Sequence, residues 1–130
     1  QDYVAIEDVG TALYPVLIEG QILGGIVQGI SQALGESMVY DETGQIATGS
    51  FMDYQMPVAS DFPKFRIKTH PVKTKINPLG AKGVGESGTV GAMAASLSAI
   101  QHALASVGAD AVQMPATPHR IWQKLIDAKK

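Results

Sequence analysis

Gly80-Ala81-Lys82-Gly83-Val84-Gly85-Glu86-Ser87-Gly88-Thr89-Val90-Gly91 decides how the rest of the chain is read. Five glycines stand within these twelve residues. A backbone so free of side chains can turn sharply and come closer to other groups than a chain bearing Cβ atoms. One carboxylate, Glu86, sits among them, and an apolar pattern of helical period begins directly afterwards. The stretch therefore predicts a loop feeding a helix N-terminus, where unpaired N–H groups favour an acidic or polar ligand. An acid mounted on such a loop is a candidate general base.

Three readings of the loop compete. In the plainest, the glycines only turn the chain and Glu86 is a solvated first-turn acid facing the helix dipole. In the second, Gly83-Val84-Gly85-Glu86-Ser87-Gly88 spells the dinucleotide fingerprint G-x-G-x-x-G. That motif needs a strand running straight into it and a second strand, ending in an acid, after the helix. Here Asn77-Pro78-Leu79 leads in, and proline interrupts a strand. The stretch Ala109-Asp110-Ala111-Val112-Gln113-Met114-Pro115 that follows the helix is too short and proline-limited to serve as the second strand.

The third reading rests on a resemblance. Lys82-Gly83-Val84-Gly85-Glu86-Ser87-Gly88 resembles the active-site loop of the molybdenum hydroxylases, the family of xanthine oxidase, aldehyde oxidoreductase and aerobic carbon monoxide dehydrogenase. Val16 to Gly25 and Gln28 to Glu36 resemble the family's upstream helix. Gly49-Ser50-Phe51-Met52-Asp53-Tyr54-Gln55-Met56-Pro57 is similar to its next segment, and Ala116-Thr117-Pro118-His119-Arg120-Ile121-Trp122 to its closing helix. Four motifs in the family's order cover nearly the whole chain.

Composition bounds the alternatives. A length of 130 residues fits one domain with room for a core. A net charge of −2 and the absence of a basic, aromatic-studded face argue against a nucleic-acid partner. No apolar run approaches a membrane span and no signal-peptide pattern opens the chain, so the cytoplasm is the default compartment. With no cysteine, the chain can supply neither a disulfide nor a ligand to an iron–sulfur cluster. Its three histidines show no metal-ligand spacing, so no protein-to-metal bond is expected from this chain.

Periodicity predicts an α+β fold. Strands are expected at 3–9, about 38–49 and 65–72, with helices at about 20–37, 89–107 and 118–128. Tyr3 to Val9 alternates as a half-buried strand does. Ile22, Ile26, Ile30, Ala33 and Leu34 share one helical face, which Leu23 and Val27 widen. Gly24, Gly25 and Gly29 in the same helix cost about 1 kcal/mol each relative to alanine. They imply that another backbone or a cofactor comes close to that side. Val39 to Thr48 reads as a hairpin around Asp41-Glu42-Thr43-Gly44. Phe51 to Pro57 reads as core packing, and His70 is a weak catalytic candidate. Val90, Met93, Leu97, Ile100, Leu104 and Val107 mark an amphipathic helix, which Ser87 or Thr89 can cap at its start and Gly108 at its end. His102 falls on its opposite face. Thr117-Pro118 launches the last helix.

The resemblance implies more than periodicity can. It covers the last part of a much longer molybdenum-binding subunit, so residues 1–130 are expected to be a C-terminal portion of a molybdopterin-binding domain, as a fragment or a split subunit. Glu86 is implied as the catalytic base acting on a metal-carried hydroxide, in the oxidation of an aldehyde, an N-heterocycle or carbon monoxide with water as oxygen source. Gln21, Lys82, Gly83, Val84 and Gly85 are implied as cofactor-binding. For Gln21 alone the plain reading is a polar first-turn residue; an amide suits the cofactor because it donates and accepts without adding charge. The implied cofactor is molybdenum–molybdopterin, leaning to the cytosine dinucleotide form of bacterial three-subunit enzymes. Iron–sulfur (2Fe–2S) and FAD groups would belong to partner domains or subunits in a hetero-oligomer, and the fragment alone would be inactive. Two rivals stay open. A dinucleotide-binding module would need a parallel sheet around the loop, and a non-catalytic interaction domain would leave Glu86 exposed on a mobile loop.

Overall fold

The computed structural model describes residues 2–129. It is α+β, with strand β1 (Asp2–Glu7), helix α1 (Pro15–Leu34), a 3-10 turn (Ala59–Asp61), strand β2 (Lys64–Thr69), helix α2 (Ser87–Ala105) and helix α3 (Pro118–Asp127). The chain divides into two compact units. One comprises residues up to Gly29 with Ala59–Ala92; the other comprises Ile30–Val58 with Met93 onward.

In the first unit β1 and β2 pair in parallel, in register from Asp2 opposite Lys64 to Glu7 opposite Thr69. A parallel pair cannot be closed by a tight turn, and the long connection that carries α1 supplies the crossover. The alternation predicted for β1 is present, with Ala5 buried while Val4 and Ile6 are exposed. Tyr3 meets Phe65 edge-on with ring centroids 6.1 Å apart, and Asp2 pairs with Arg66. The core is formed by Ala5, Val9, Ile22, Ile26 and Ala92. Ile22 and Ile26 lie one helical turn apart, as the sequence pattern requires.

Helix α1 starts at Pro15, earlier than the predicted position 20. Tyr14-Pro15 reads as a loop signal, but proline at the first helical position gives up no hydrogen bond and presets φ. The implied close approach is found at Gly25, where an added Cβ would lie 3.1 Å from the Thr89 nitrogen. Opposite it, a Cβ on Gly88 would collide with the Ile22 carbonyl oxygen. Two backbones thus touch through glycine. Gly24 has nothing within 4 Å of such an atom, so close approach within the chain accounts for Gly25 and not for Gly24.

In the second unit Leu104, Ala109, Val112 and Ala116 form a buried cluster, flanked by Leu97, Ile100 and Ile121. Gly108, at φ +74°, ends α2 as predicted, and Thr117 caps α3 by accepting the Arg120 N–H. The expected strands at 38–49 do not form a ladder. The turn does form, with Asp41 Oδ1 accepting from the Thr43 and Gln45 nitrogens, but a single bridge, Tyr40 with Ile46, closes it. The local turn chemistry at Asp41 and Gly44 is satisfied within a few residues and needs no longer pairing. Val90 and Val107, at the two ends of the predicted α2 stripe, are exposed.

Gly88→Ala forces a methyl group against the Ile22 backbone oxygen, which cannot swing aside as a side chain would. We expect a loss of at least about 2 kcal/mol, the upper part of the usual overpacking range. Gly25→Ala should cost less, because its nearest neighbours lie 3.1 Å away, tight contacts that a shift of a few tenths of an ångström relieves. Thermal unfolding of the two variants checks the order.

Candidate functional site

The glycine loop is fixed residue by residue within the first unit. The Gly80 carbonyl accepts from the Thr11 nitrogen at 2.9 Å and the Thr74 nitrogen at 3.2 Å. Ala81 is clamped from both sides by one amide: Asn77 Nδ2 donates to the Ala81 carbonyl at 2.9 Å, and the Ala81 nitrogen donates to Asn77 Oδ1 at 3.3 Å. The Lys82 nitrogen donates to the Val9 carbonyl at 3.0 Å. This pairing brings Gly10 against the Gly80 carbonyl with φ +60°, where a side chain would be both strained and in collision.

Asp8 anchors the same region. Its Oδ1 accepts from the Gly10 nitrogen at 3.0 Å and the Val72 nitrogen at 2.9 Å, and its Oδ2 lies 2.5 Å from Lys82 Nζ. The Lys82 hydrogen bond, then those from Val72 and Gly10, pull the Asp8 carboxyl down to about 2. Donors that favour the ionised form have this effect on any carboxylate.

Further along, Gln21 Nε2 donates to the Gly85 carbonyl at 2.9 Å, joining the first turns of α1 to the loop. The Ser87 hydroxyl donates to the Val84 carbonyl at 3.2 Å. Glu86 takes the N-cap position of α2: its carbonyl accepts from the Thr89 and Val90 nitrogens. Ser87 is therefore the first helical residue and not the cap. The Glu86 side chain is exposed and has no hydrogen-bond or ion-pair partner among the described residues.

Two glycines in the loop are unexplained by the chain itself. Gly83 and Gly85 have no positive φ, and a Cβ on either would meet nothing within 4 Å. Their lack of a side chain leaves open space beside Glu86. An unpaired carboxylate, two bare backbone residues and a fixed glutamine are compatible with a large polar cofactor coming close, and glycine there admits it. With one Gln21 amide hydrogen on Gly85, its Oε1 and second hydrogen remain for a ligand.

Among the residues named from sequence, Gln21, Gly85 and Glu86 are brought together, with Gly83 and Val84 adjoining. Lys82 differs, since its ammonium points to Asp8. His70 and His102 are exposed, and no cluster of three potential metal ligands occurs among the described residues. In the second unit, Phe51 and Met52 are exposed, against the expectation of core packing. Tyr54 instead ties that segment down by donating to Glu36 at 2.6 Å. Asp8 and Asn77 were not evident from sequence. The spacing Asp8-Val9-Gly10, an acid two residues before a glycine turn, is the one local signal that could have exposed Asp8.

The topology also separates the rival readings of the loop. Strand β2 ends at Thr69, well before Gly80, and no strand follows α2 among the described residues. A G-x-G-x-x-G dinucleotide site needs both. Instead, residues 1–63 match the family model of a molybdopterin cofactor-binding domain. The chain is 41% identical over 117 residues to the nicotine 6-hydroxylase large subunit of Paenarthrobacter nicotinovorans, covering 90% of this chain and 14% of that protein. It is 37% identical over 121 residues to the carbon monoxide dehydrogenase large chain of Afipia carboxidovorans, covering 93% of this chain and 15% of that one. A crystal structure of a copper- and molybdenum-containing carbon monoxide dehydrogenase, in its carbon monoxide reduced state, superposes with a TM-score of 0.92 at 35% identity, over 99% of this chain and 16% of that chain. Fold and likeness together define a part of a molybdopterin-binding polypeptide. The chain belongs to the molybdenum hydroxylase family, as a segment of its large subunit.

A carboxyl lowered in the fold stabilises it above the unfolded value and loses that effect as pH falls through the folded value. The Asp8 contribution should thus be complete above about pH 4 and vanish on acidification through about 2. A carboxyl-selective titration should place the Asp8 midpoint near 2; a midpoint near the ordinary 3.8 would show that the hydrogen bonds from Lys82, Val72 and Gly10 are not made.

Proposed function

We propose that this chain supplies the base-bearing loop of a molybdenum hydroxylase, with Glu86 as general base. The observation that carries the reading is an unpartnered carboxylate held on an anchored loop beside Gly83 and Gly85, whose bareness nothing in the chain requires. Gln21 and the backbone of Lys82, Gly83, Val84 and Gly85 would line the cofactor. A molybdopterin-bound molybdenum supplies the oxidising centre when present. Glu86 takes up a proton at a carboxylate oxygen, Gln21 orients by its free amide atoms, and the glycines keep side chains out of the space the cofactor enters.

The α2 N-terminus next to Glu86 matters to that role. The partial positive charge at a helix start favours an acidic side chain at that position. Anchoring matters equally, because a base works only within about 3 Å of the proton it removes.

The relatives' names include a nicotine hydroxylase and a carbon monoxide dehydrogenase, which supports an N-heterocycle or carbon monoxide as substrate; an aldehyde completes the class we assign. Both relatives are described as a large subunit or large chain, which supports a hetero-oligomer; the rest of the molybdenum subunit and the iron–sulfur (2Fe–2S) and flavin (FAD) partners are our assignment. The cytosine dinucleotide form of the cofactor is part of the same proposal. The chain spans 14–16% of these proteins, and we assign turnover to the whole protein and not to this segment alone. A second reading, a non-catalytic interaction domain, draws on the exposure of Glu86. That exposure belongs to the surface of this chain alone, and the anchored loop does not match the mobile one that reading calls for.

Glu86→Gln in the complete enzyme should keep a full complement of molybdenum and lose at least about a hundredfold in turnover, the usual scale for a general base. Metal analysis and steady-state kinetics together check it. Near-normal turnover with the metal in place would refute the assignment and favour the interaction domain.

A further inference from the structure

We propose that Asp8 is a positioning residue for Glu86, acting through Lys82, and that the Lys82 side chain serves this anchor and not the cofactor. The inference rests on Glu86 being the base.

Asp8 directly follows β1, and Val72 lies just beyond the end of β2. Through Oδ1, Asp8 holds the Gly10 and Val72 nitrogens, and through Oδ2 it holds Lys82 Nζ. One carboxylate therefore joins the ends of both strands to the start of the glycine loop. The side chains of the pair are about one-third exposed, at 33% for Lys82 and 38% for Asp8, so the geometry and not a buried charge makes the anchor. A surface ion pair alone contributes little to stability. Its value here is positional: three donors from separate segments converge on two oxygens.

Between Lys82 and Glu86 the chain contains Gly83 and Gly85, the least restrained residues available. Such a stretch keeps its course only while both of its ends are pinned. Gln21 pins the far end at Gly85, and Asp8 with the Lys82 backbone bond to Val9 pins the near end. Removing the Asp8–Lys82 contact leaves the near end to the Lys82–Val9 backbone bond and the Asn77 clamp on Ala81, and lets the loop shift. A misplacement of about 1 Å can cost a hundredfold in rate.

The test uses the complete enzyme and compares Asp8→Asn, Lys82→Met and Lys82→Arg with wild type. Hydrogen–deuterium exchange of the Gly80–Gly88 amides is read beside kcat, KM and molybdenum content. Asp8→Asn and Lys82→Met should speed exchange in that segment about tenfold or more and lower kcat by ~10–100-fold with KM little changed and molybdenum retained, the pattern of a displaced catalytic group. Lys82→Arg should restore both. Unchanged exchange and kcat in Lys82→Met would overturn the proposal, and so would acceleration spread evenly over β1, β2 and α2. If Asp8→Asn does not assemble, the Lys82 pair of variants decides alone, since it leaves the Asp8 backbone bonds in place. If Glu86→Gln proves active, the base reading fails, while the exchange data still decide whether Asp8 and Lys82 fix the loop.

Discussion

The contact of α1 with α2 at Gly25 and Gly88 is the constraint from which the site follows. Only glycine lets the two helical backbones come so close. Gln21 lies one turn before Gly25 on α1, on the same face, so the approach that seats Gly25 on Thr89 also carries Gln21 to the Gly85 carbonyl. The same approach sets where α2 begins, and Glu86 is the residue that caps it. A helix crossing thus fixes the orientation of a carboxylate two residues away.

Around that crossing the chain divides its glycines by role. Gly10, Gly25 and Gly88 answer demands visible within the fold, one of backbone angle and collision, two of close approach. Gly83 and Gly85 answer none, and the same holds for Gly24 on α1. Large apolar side chains show a similar split. Ile22 and Ile26 are fully buried, whereas Val16, Leu17, Phe51 and Met52 are more than 60% exposed. For a chain spanning 14% of a relative such as the nicotine 6-hydroxylase large subunit, unmet demands of this sort are expected wherever its surface is interior to the whole.

Much of this was legible in the sequence. The three helices and two strands follow from period and from turn chemistry, and the motif at Lys82 to Gly88 pointed to the family that the comparisons bear out. Burial was less legible, because periodicity ranks the faces of an element without saying what covers them. Val90, Val107, Phe51 and Met52 fit the pattern of buried residues and are exposed in this chain. The hairpin expected at 38–49 falls short of a ladder for a related reason: turn residues at Asp41 and Gly44 specify a turn, and strands need partners that local sequence cannot name. Asp8 escaped notice because its role depends on Val72 and Lys82, both more than sixty positions away.

The central claim is that Glu86 is presented, across bare backbone, to a molybdenum cofactor lying outside this chain. An experimental structure of the intact complex with its metal content measured tests it most directly. Molybdopterin should lie against Gly83 and Gly85, with the Glu86 carboxylate turned toward the metal. A complex that contains no molybdopterin, or one in which that carboxylate faces away from the metal, would contradict it.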